Sequence, residues 1–383
     1  MDASLTSLRA STTNTGSCKQ LSRSFVASES RGGFHHFQAV RRHTLRRPNP
    51  LILSQISTSC RPPFELLALT LGPSCIWHRT RSPSSYHPLS SNHITSYIHG
   101  GYYRDPKITA SSFHRTLSFL LSSPLYAHIV SLIAGFASIN YRLSAHPDYP
   151  QDPDKTPNYE LRHAKHPNHI DDVLTAIGVL QKKYGFGERY LLVGHSVGAT
   201  MAFQVALSQK VPWIPSTGAS AEGETEWRVE PPIAILGVEG IYDFPLIVKT
   251  VPPEVRDKYV KPTQGAFGKD EEVWLEASPA QYSAAAYTRN WGGGRHLVVV
   301  AHSWEDELVD WEQVRAITKV FSESVEGDRI KFEVVELKGK HHEVWEKGHE
   351  LARAIAEAIR RIKIMSNAEP RRGSGVRVMK VIG

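Results

Sequence analysis

The chain has few cysteines, and all of them lie in its first 75 residues. Only three occur among 383 residues, namely Cys18, Cys60 and Cys75. A disulfide framework or a cysteine-based metal site is therefore excluded for the rest of the chain. Long apolar runs are also lacking, because no stretch approaches the roughly 20 residues that a membrane-spanning helix needs. The N-terminus has no apolar core of the kind found in secretory signals. We expect a soluble intracellular protein.

Acidic residues are scarce near the N-terminus. Residues 1–93 hold 11 lysines and arginines against three acids, which leaves 34 basic against 35 acidic residues in the remainder. The net charge of +7 therefore comes from this segment, and nucleic-acid binding loses its main support. The segment is rich in Ser, Arg and Pro, and we predict a disordered or atypical leader. We expect a cytoplasmic protein, or a mitochondrial one if the leader is a transit peptide.

From residue 94 the pattern becomes regular. Strand-like runs lie at Ile94 to Ile98, Ala137 to Tyr141, Tyr190 to Val193, Ile233 to Val238, Leu297 to Ala301 and Phe332 to Leu337. Helix-like segments separate most of them, and residues 168–184 show the clearest helical period. Alternating strands and helices predict an α/β fold with a mainly parallel sheet and helices on both faces. We place this domain at 94–365, with surface insertions at 148–167 and 215–232 and a flexible tail at 366–383.

One motif occupies the place of a catalytic nucleophile. Gly194-His195-Ser196-Val197-Gly198 follows an apolar strand and precedes the helix-like run from Ala199 to Leu207. A sharp strand-to-helix turn exposes the serine hydroxyl and aims a helix N-terminus at developing negative charge. A chance G-x-S-x-G is the alternative, but the strand-turn-helix context favours a nucleophile at Ser196.

A second motif offers an oxyanion hole, since a tetrahedral intermediate needs donors for its negative oxygen. His99-Gly100-Gly101 follows the strand-like residues 96–98, where esterases of the His-Gly-Gly type present backbone N–H groups. We expect donors at Gly101, Tyr102 and Val197. Alone, this motif is a glycine-rich turn; beside the nucleophile motif it indicates catalysis.

The base and its orienting acid should follow the serine, in the order acid and then histidine, at the ends of later strands. Asp306 follows the strand-like run ending at Ala301, and Glu305 and Glu307 stay open as alternatives. His341 and His342 follow the last strand. Their spacing does not separate them, because adjacent loop residues point in different directions.

These motifs together resemble the fungal kynurenine formamidase family over roughly residues 94–363. The likeness is carried by the segments His99-Gly100-Gly101-Tyr102-Tyr103-Arg104-Asp105-Pro106, Gly194-His195-Ser196-Val197-Gly198, Asp306-Glu307-Leu308-Val309 and His341-His342-Glu343-Val344-Trp345, and by residues 146–153. The resemblance implies the α/β-hydrolase fold and hydrolysis of N-formyl-L-kynurenine to L-kynurenine and formate, in tryptophan breakdown towards NAD. It also implies a homodimer that needs no cofactor or metal, and a Ser196, Asp306 and His341 triad, which selects the first histidine.

Two features depart from the family pattern. The family motif is similar to His-Gly-Gly-x-Trp with a small residue at x, whereas Tyr102 and Tyr103 occupy these positions here. The larger ring at Tyr102 is expected to narrow the pocket near the oxyanion hole. The family also has strands ahead of this loop, which the leader does not resemble. Among nearby aromatic residues, we predict Tyr103 and Trp304 as substrate contacts.

Two alternatives remain. The first is a broad carboxylesterase of the His-Gly-Gly type, and the second is a non-catalytic binding protein on the same fold. A metal site is suggested only weakly, by His163, His166 and His169, which recur at every third residue. Pro167 would interrupt a helix that aligned them, so we interpret these histidines as part of a solvated loop.

Overall fold

The computed structural model describes residues 92–158, 160–208, 228–292, 294–322 and 329–368, together with the backbone of two short strands at 69–70 and 75–79. These residues all belong to the compact unit Cys60–Gly383. Most of the predicted leader, residues 209–227, which include most of the second insertion at 215–232, and the tail after residue 368 lie outside the described residues.

Eight strands of the described part of the chain form one sheet in the order β1-β2-β4-β3-β5-β6-β7-β8. The strands are β1 (Leu69–Thr70), β2 (Cys75–Arg79), β3 (His93–Ile98), β4 (Ile133–Ile139), β5 (Tyr190–His195), β6 (Ala234–Val238), β7 (His296–Ser303) and β8 (Ile330–Leu337). The six strands from β3 to β8 run parallel to one another, which confirms the predicted, mainly parallel sheet. β4 begins four residues earlier and ends two residues earlier than predicted.

The sheet extends into the segment that we predicted to be a leader. β2 pairs antiparallel with β4, with Cys75 opposite Ile139 and Arg79 opposite Gly135, and β1 pairs antiparallel with β2. The boundary at residue 93 is therefore placed too late. Short strands with little apolar periodicity leave no recognisable pattern in the local sequence. Their place in the sheet is set by backbone pairing with a neighbouring strand.

Eleven helices lie among the described residues. They are α1 (His114–Ser122), α2 (Ala127–Val130), α3 (Asn168–Tyr184), α4 (Val197–Leu207), α5 (Phe244–Thr250), α6 (Asp257–Phe267), α7 (Glu271–Ala277), α8 (Ala284–Trp291), α9 (Trp311–Ser322), α10 (Glu343–Glu346) and α11 (His349–Ala368). α3 has the bounds that its period predicts. It ends at Tyr184, and the next residue, Gly185, caps it with a φ of 65° that reverses the chain direction.

Helices cover both faces of the sheet, as predicted. Leu192 of β5 packs into a core with residues of α3, α4 and α8, whereas Leu191 and Val193 pack into a second core with residues of α1 and α11. Successive side chains of a strand point to opposite faces, so the central strands must be apolar on both. No described helix is both long enough and apolar enough to cross a membrane.

The parallel strands bring five loops to one edge of the sheet. Ile98 is level with Gly194, His195 with Val238, and Val238 with Ala301. The segments that leave β3, β5, β6, β7 and β8 therefore start side by side at their carboxyl ends, which is where open α/β sheets bind ligands. All the catalytic residues predicted from the sequence lie in these segments.

Candidate active site

Ser196 lies in a sharp turn between β5 and α4. Its φ of 56° and ψ of −124° are unusual for a residue with a side chain. A Cβ on Gly194 would lie 2.1 Å from the carbonyl oxygen of Gly198, and a Cβ on Gly198 would lie 2.3 Å from that of Ile98. The two glycines therefore let the backbone cross itself and pack on β3, which lifts the Ser196 side chain out of the turn.

The loop after β3 runs beside this turn. Gly101, Tyr102 and Tyr103 have successive positive φ values of 93°, 47° and 65°. The Tyr141 hydroxyl donates hydrogen bonds of 2.8 Å to the Gly100 carbonyl and 3.2 Å to that of His99. The N–H groups of Gly101, Tyr102 and Val197 donate to no other described residue. These three backbone donors remain available for a ligand.

Asp306 and His341 form a buried pair. The Nδ1–H of His341 donates to the Asp306 Oδ2 at 2.9 Å, and the backbone N–H groups of Leu308 and Val309 donate to Oδ1, each at 2.9 Å. Burial by itself raises the pKa of the Asp306 carboxyl, but His341, His302 and these hydrogen bonds hold it below its usual value. Asp306 is therefore a carboxylate at neutral pH.

The alternatives that the sequence left open occupy other positions. Glu305 accepts from the N–H of Gly339, and Glu307 accepts from the backbone N–H of His341. His342 lies on the cavity wall with its ring 5.5 Å from that of His341. Of the three acids and two histidines, the structure joins the side chains of Asp306 and His341.

Ser196 and His341 line the same cavity of about 380 Å³. No hydrogen bond joins their side chains in the described structure. Catalytic hydrogen bonds are often long or poorly aligned in active sites without a ligand. Gly101, Tyr102 and Tyr259 form part of the wall, and the Tyr102 hydroxyl lies 3.2 Å from that of Thr263. The cavity thus contains a serine, an imidazole with its acid, and unpaired backbone donors.

Comparison with known proteins identifies relatives over most of this region. A kynurenine formamidase-like hydrolase of Fusarium equiseti is 35% identical over 281 residues, which cover 71% of this chain and 85% of the relative. A kynurenine formamidase of Aspergillus versicolor is 35% identical over 265 residues, covering 66% of this chain and 83% of the relative. This chain belongs to the kynurenine formamidase family. The predicted resemblance is confirmed, and the chain is a hydrolase.

A third relative has a lower sequence identity. The kynurenine formamidase of Meyerozyma guilliermondii is 29% identical over 281 residues, covering 72% of this chain and 87% of the relative. No protein-family model matches the chain. The solved structure of esterase B from Lactobacillus rhamnosis has a TM-score of 0.49 at 15% identity, over 76% of this chain and 81% of that one. The α/β-hydrolase fold follows here from the strand order and from the kynurenine formamidase family.

The structure does not place the two predicted aromatic substrate contacts, Tyr103 and Trp304, on this cavity. Tyr103 is buried in the core, where its ring packs edge-on against Phe267 at 5.3 Å between centroids. Trp304 is 61% exposed and stacks on Trp311 at 3.9 Å. Neither is among the described residues that line the cavity. Closeness in sequence to a catalytic motif does not fix the direction in which a side chain points.

The structure also corrects our interpretation of His163, His166 and His169 as a solvated loop. His163 is exposed, but His169 is buried in the first turn of α3, where its Nε2 lies 3.0 Å from the Ser144 hydroxyl. Pro167 directly precedes the helix, so only His169 is held by it. The solvated-loop interpretation is therefore wrong for His169.

Two buried polar residues beside Ser196 and His341 were missed from the sequence. The Nε2–H of His195 donates to the backbone carbonyl of His341 at 3.1 Å, which ties the turn at Ser196 to the loop that holds His341. Glu239 follows β6 directly and is fully buried. Its position could have been noticed, because a carboxylate immediately after an apolar strand in a parallel sheet lies at the ligand-binding edge.

A metal ion could use the same atoms. Nitrogens of His195 and His341 and a carboxylate oxygen of Glu239 lie within 4.8 Å of one another. The facing nitrogens already carry hydrogens, however, because one donates to a carbonyl oxygen and the other to Asp306. A metal would have to displace both hydrogen bonds. The arrangement therefore fits a hydrogen-bonded cluster better than a metal site.

Glu239 makes the folding stability of this protein depend on pH. Burial, together with the charges of Asp306 and Glu307, raises the pKa of its carboxyl to about 10. Between its ordinary pKa of 4.5 and this value, the native state keeps a proton that the unfolded chain has lost, so stability falls as pH rises. We expect the melting temperature of Glu239→Gln to rise relative to wild type by about 2 °C per pH unit between pH 6 and 8. If the melting temperatures of the two proteins change in parallel with pH, this expectation is contradicted.

Proposed function

We propose that this chain hydrolyses N-formyl-L-kynurenine to L-kynurenine and formate, as a step of tryptophan degradation, with Ser196 as nucleophile, His341 as base and Asp306 as orienting acid. The observation that carries the proposal is the 2.9 Å contact between Asp306 and His341 in the cavity that Ser196 also lines. The names of the relatives support the substrate.

The reaction begins with proton transfer from the Ser196 hydroxyl to the Nε2 of His341. The Ser196 oxygen then bonds to the formyl carbon, and the former carbonyl oxygen becomes an oxyanion that the N–H groups of Gly101, Tyr102 and Val197 stabilise. His341 next gives its proton to the departing aryl amine as the carbon–nitrogen bond breaks. The product of this half-reaction is a formyl ester on Ser196.

The second half-reaction repeats these steps with water. His341 takes a proton from a water molecule, whose oxygen attacks the formyl ester, and the proton returns to the Ser196 oxygen as formate leaves. Asp306 keeps the Nδ1 of His341 protonated throughout, so that Nε2 is the nitrogen that exchanges protons. The Asp306 charge also stabilises the imidazolium that forms twice in each cycle.

Selectivity for an amino-acid substrate is supported by a free cation on the cavity wall. Arg104 lines the cavity, and its guanidinium has no hydrogen bond or salt bridge among the described residues. Partial burial lowers its pKa, and the charge of Asp148 opposes this shift without cancelling it, so the cation is only partly compensated there. We propose that it binds the α-carboxylate of the substrate, while Tyr102 and Tyr259 contact the aromatic ring.

Arg104→Ala tests this role. We expect kcat/KM for N-formyl-L-kynurenine to fall about 10- to 100-fold, the usual worth of a hydrogen bond to a charged group. Hydrolysis of phenyl acetate, which has no carboxylate, should change by less than about twofold. Lys107→Ala is the matched control, because Lys107 is an exposed cation nearby that does not line the cavity. Equal losses on both substrates would contradict the proposed contact.

A broad carboxylesterase is the second candidate, because it would share every catalytic group. Formate release from N-formyl-L-kynurenine should be compared with hydrolysis of short aryl esters by the same wild-type preparation. We expect a higher kcat/KM for N-formyl-L-kynurenine. A strong preference for the esters would reject the proposed substrate while leaving the serine mechanism intact.

A further inference from the structure

Glu239 is held rigidly beside the catalytic histidine. Its backbone has a φ of 47°, and its N–H donates to the carbonyl of Ala301 on β7 at 2.9 Å. The side chain has no exposed surface, and neither carboxyl oxygen has a hydrogen-bond partner among the described residues. A buried, unpartnered polar group costs free energy, so its retention calls for a functional explanation.

One oxygen of this carboxyl faces two imidazole rings. Oε2 lies 3.4 Å from the Nε2 of His195 and 3.7 Å from the Nδ1 of His341. Both nitrogens carry hydrogens, because the first donates to a backbone carbonyl and the second to the Asp306 carboxylate. Oε2 therefore cannot donate to either nitrogen, and it faces their N–H groups as a negative pole without a hydrogen bond to either. In an uncharged carboxyl it is the carbonyl oxygen, and the proton is on Oε1.

An uncharged Glu239 agrees with its neighbours. Asp306 and Glu307 reach it from the loop after β7, and a third negative charge beside them would be strongly disfavoured in a buried site. His195 is also uncharged, because burial first and the neighbouring His341 second lower its pKa. The cluster around His341 thus contains one buried full charge behind the ring, on Asp306, and one neutral dipole, on Glu239.

We propose that Glu239 is a positioning residue, which presents the carbonyl oxygen of an uncharged carboxyl group to the N–H groups of His195 and His341 and so holds His341 against Asp306. Its dipole stabilises the imidazolium that forms during the reaction. A neutral carboxyl does this without adding a second full negative charge beside His341. Such a charge would hold the proton on the imidazole and slow its release. The role rests on the proposed serine mechanism but not on the choice of substrate.

Two variants of similar size separate this role from simple packing. Glu239→Gln keeps a carbonyl oxygen and the neutral charge, whereas Glu239→Leu removes the oxygen. We expect kcat for phenyl acetate to fall about 10- to 100-fold in the leucine variant with KM changed by less than about twofold, because a misplaced catalytic group costs rate more than binding. The glutamine variant should stay within about threefold of wild type. Glu239→Met replaces the leucine variant if that variant does not fold.

The pH dependence of kcat/KM is a measurement that would not change if Glu239 only filled space in the core. An ionised Glu239 would favour the protonated imidazole, so removing its charge would shift the acid limb of kcat/KM to lower pH. We expect the acid limb of Glu239→Gln to match that of wild type. A downward shift of about one pH unit would overturn the proposal, as would equal rates for the glutamine and leucine variants.

Labelling of Ser196 by a fluorophosphonate in the full-length chain keeps this test separate from the proposed substrate. The leucine variant should label more slowly than the glutamine variant. If wild type is labelled but releases no formate from N-formyl-L-kynurenine, the substrate is wrong and the comparison of variants still stands. If wild type is not labelled, both the mechanism and the role of Glu239 are wrong.

Discussion

Replacing Ser196 by alanine is expected to lower kcat for formate release by roughly 10⁴- to 10⁶-fold, because members of a catalytic triad act as a unit. Without the hydroxyl, no covalent ester can form. The backbone donors and the cavity remain, so KM should change little and some residual rate over water should persist. The measurement is formate release from N-formyl-L-kynurenine under saturating conditions.

The control for this variant lies just beyond the end of the helix that follows Ser196. Ser208 follows the last residue of α4 and is exposed, so Ser208→Ala should keep wild-type activity. Fluorophosphonate labelling of wild type should be lost in Ser196→Ala and kept in Ser208→Ala. If Ser196→Ala still releases formate at a wild-type rate, Ser196 is not the nucleophile. If wild type is neither active nor labelled, the chain is a binding protein on a hydrolase fold.

Gly194→Ala is expected to prevent formation of the native nucleophile turn. The new Cβ would lie 2.1 Å from the Gly198 carbonyl oxygen, 2.3 Å from its carbon and 2.5 Å from the Ala199 nitrogen. All three atoms are backbone, so no side chain can move aside, and β5 would have to separate from α4. We expect a loss of stability beyond the 1–3 kcal/mol typical of overpacking, that is, more than about 3 kcal/mol. Thermal unfolding and soluble yield measure it.

Gly265→Ala is the matched control. Gly265 lies inside α6, and a Cβ there would meet nothing within 4 Å. Alanine in a helix interior is more favourable than glycine by roughly 0.5–1 kcal/mol, so this variant should be as stable as wild type or more stable. Similar stability losses in the two variants would show that the crossing at Gly194 does not limit the fold.

The sequence predicted the sheet because its signals are local. Apolar runs such as those of β5 and β7 are buried on both faces, so hydrophobicity alone marks them, and the period of α3 reproduces its bounds from residue 168 to 184. β1 and β2 were missed for the opposite reason. They are short and lie in a segment of unusual composition, and pairing with β4 places them in the sheet.

The candidate site was likewise predicted only in part from the sequence. Spacing and strand-end placement identified the segments that hold Ser196, Asp306 and His341, because all parallel strands end at one edge. They did not determine which way a side chain points. Tyr103 was predicted as a substrate contact and lies in the core, whereas Arg104, the next residue, lines the cavity.

By itself, then, the sequence determined the order of strands and helices, the nucleophile turn and the family, since these follow from periodicity and from motifs read along the chain. Only the tertiary structure decided that Asp306 rather than Glu305 or Glu307 hydrogen-bonds the imidazole ring of His341, and that Glu239 lies against the same ring. The physical reason is that such contacts depend on loop dihedral angles and on distances between residues far apart in the chain, such as 239 and 341. Neither leaves a pattern in the local sequence.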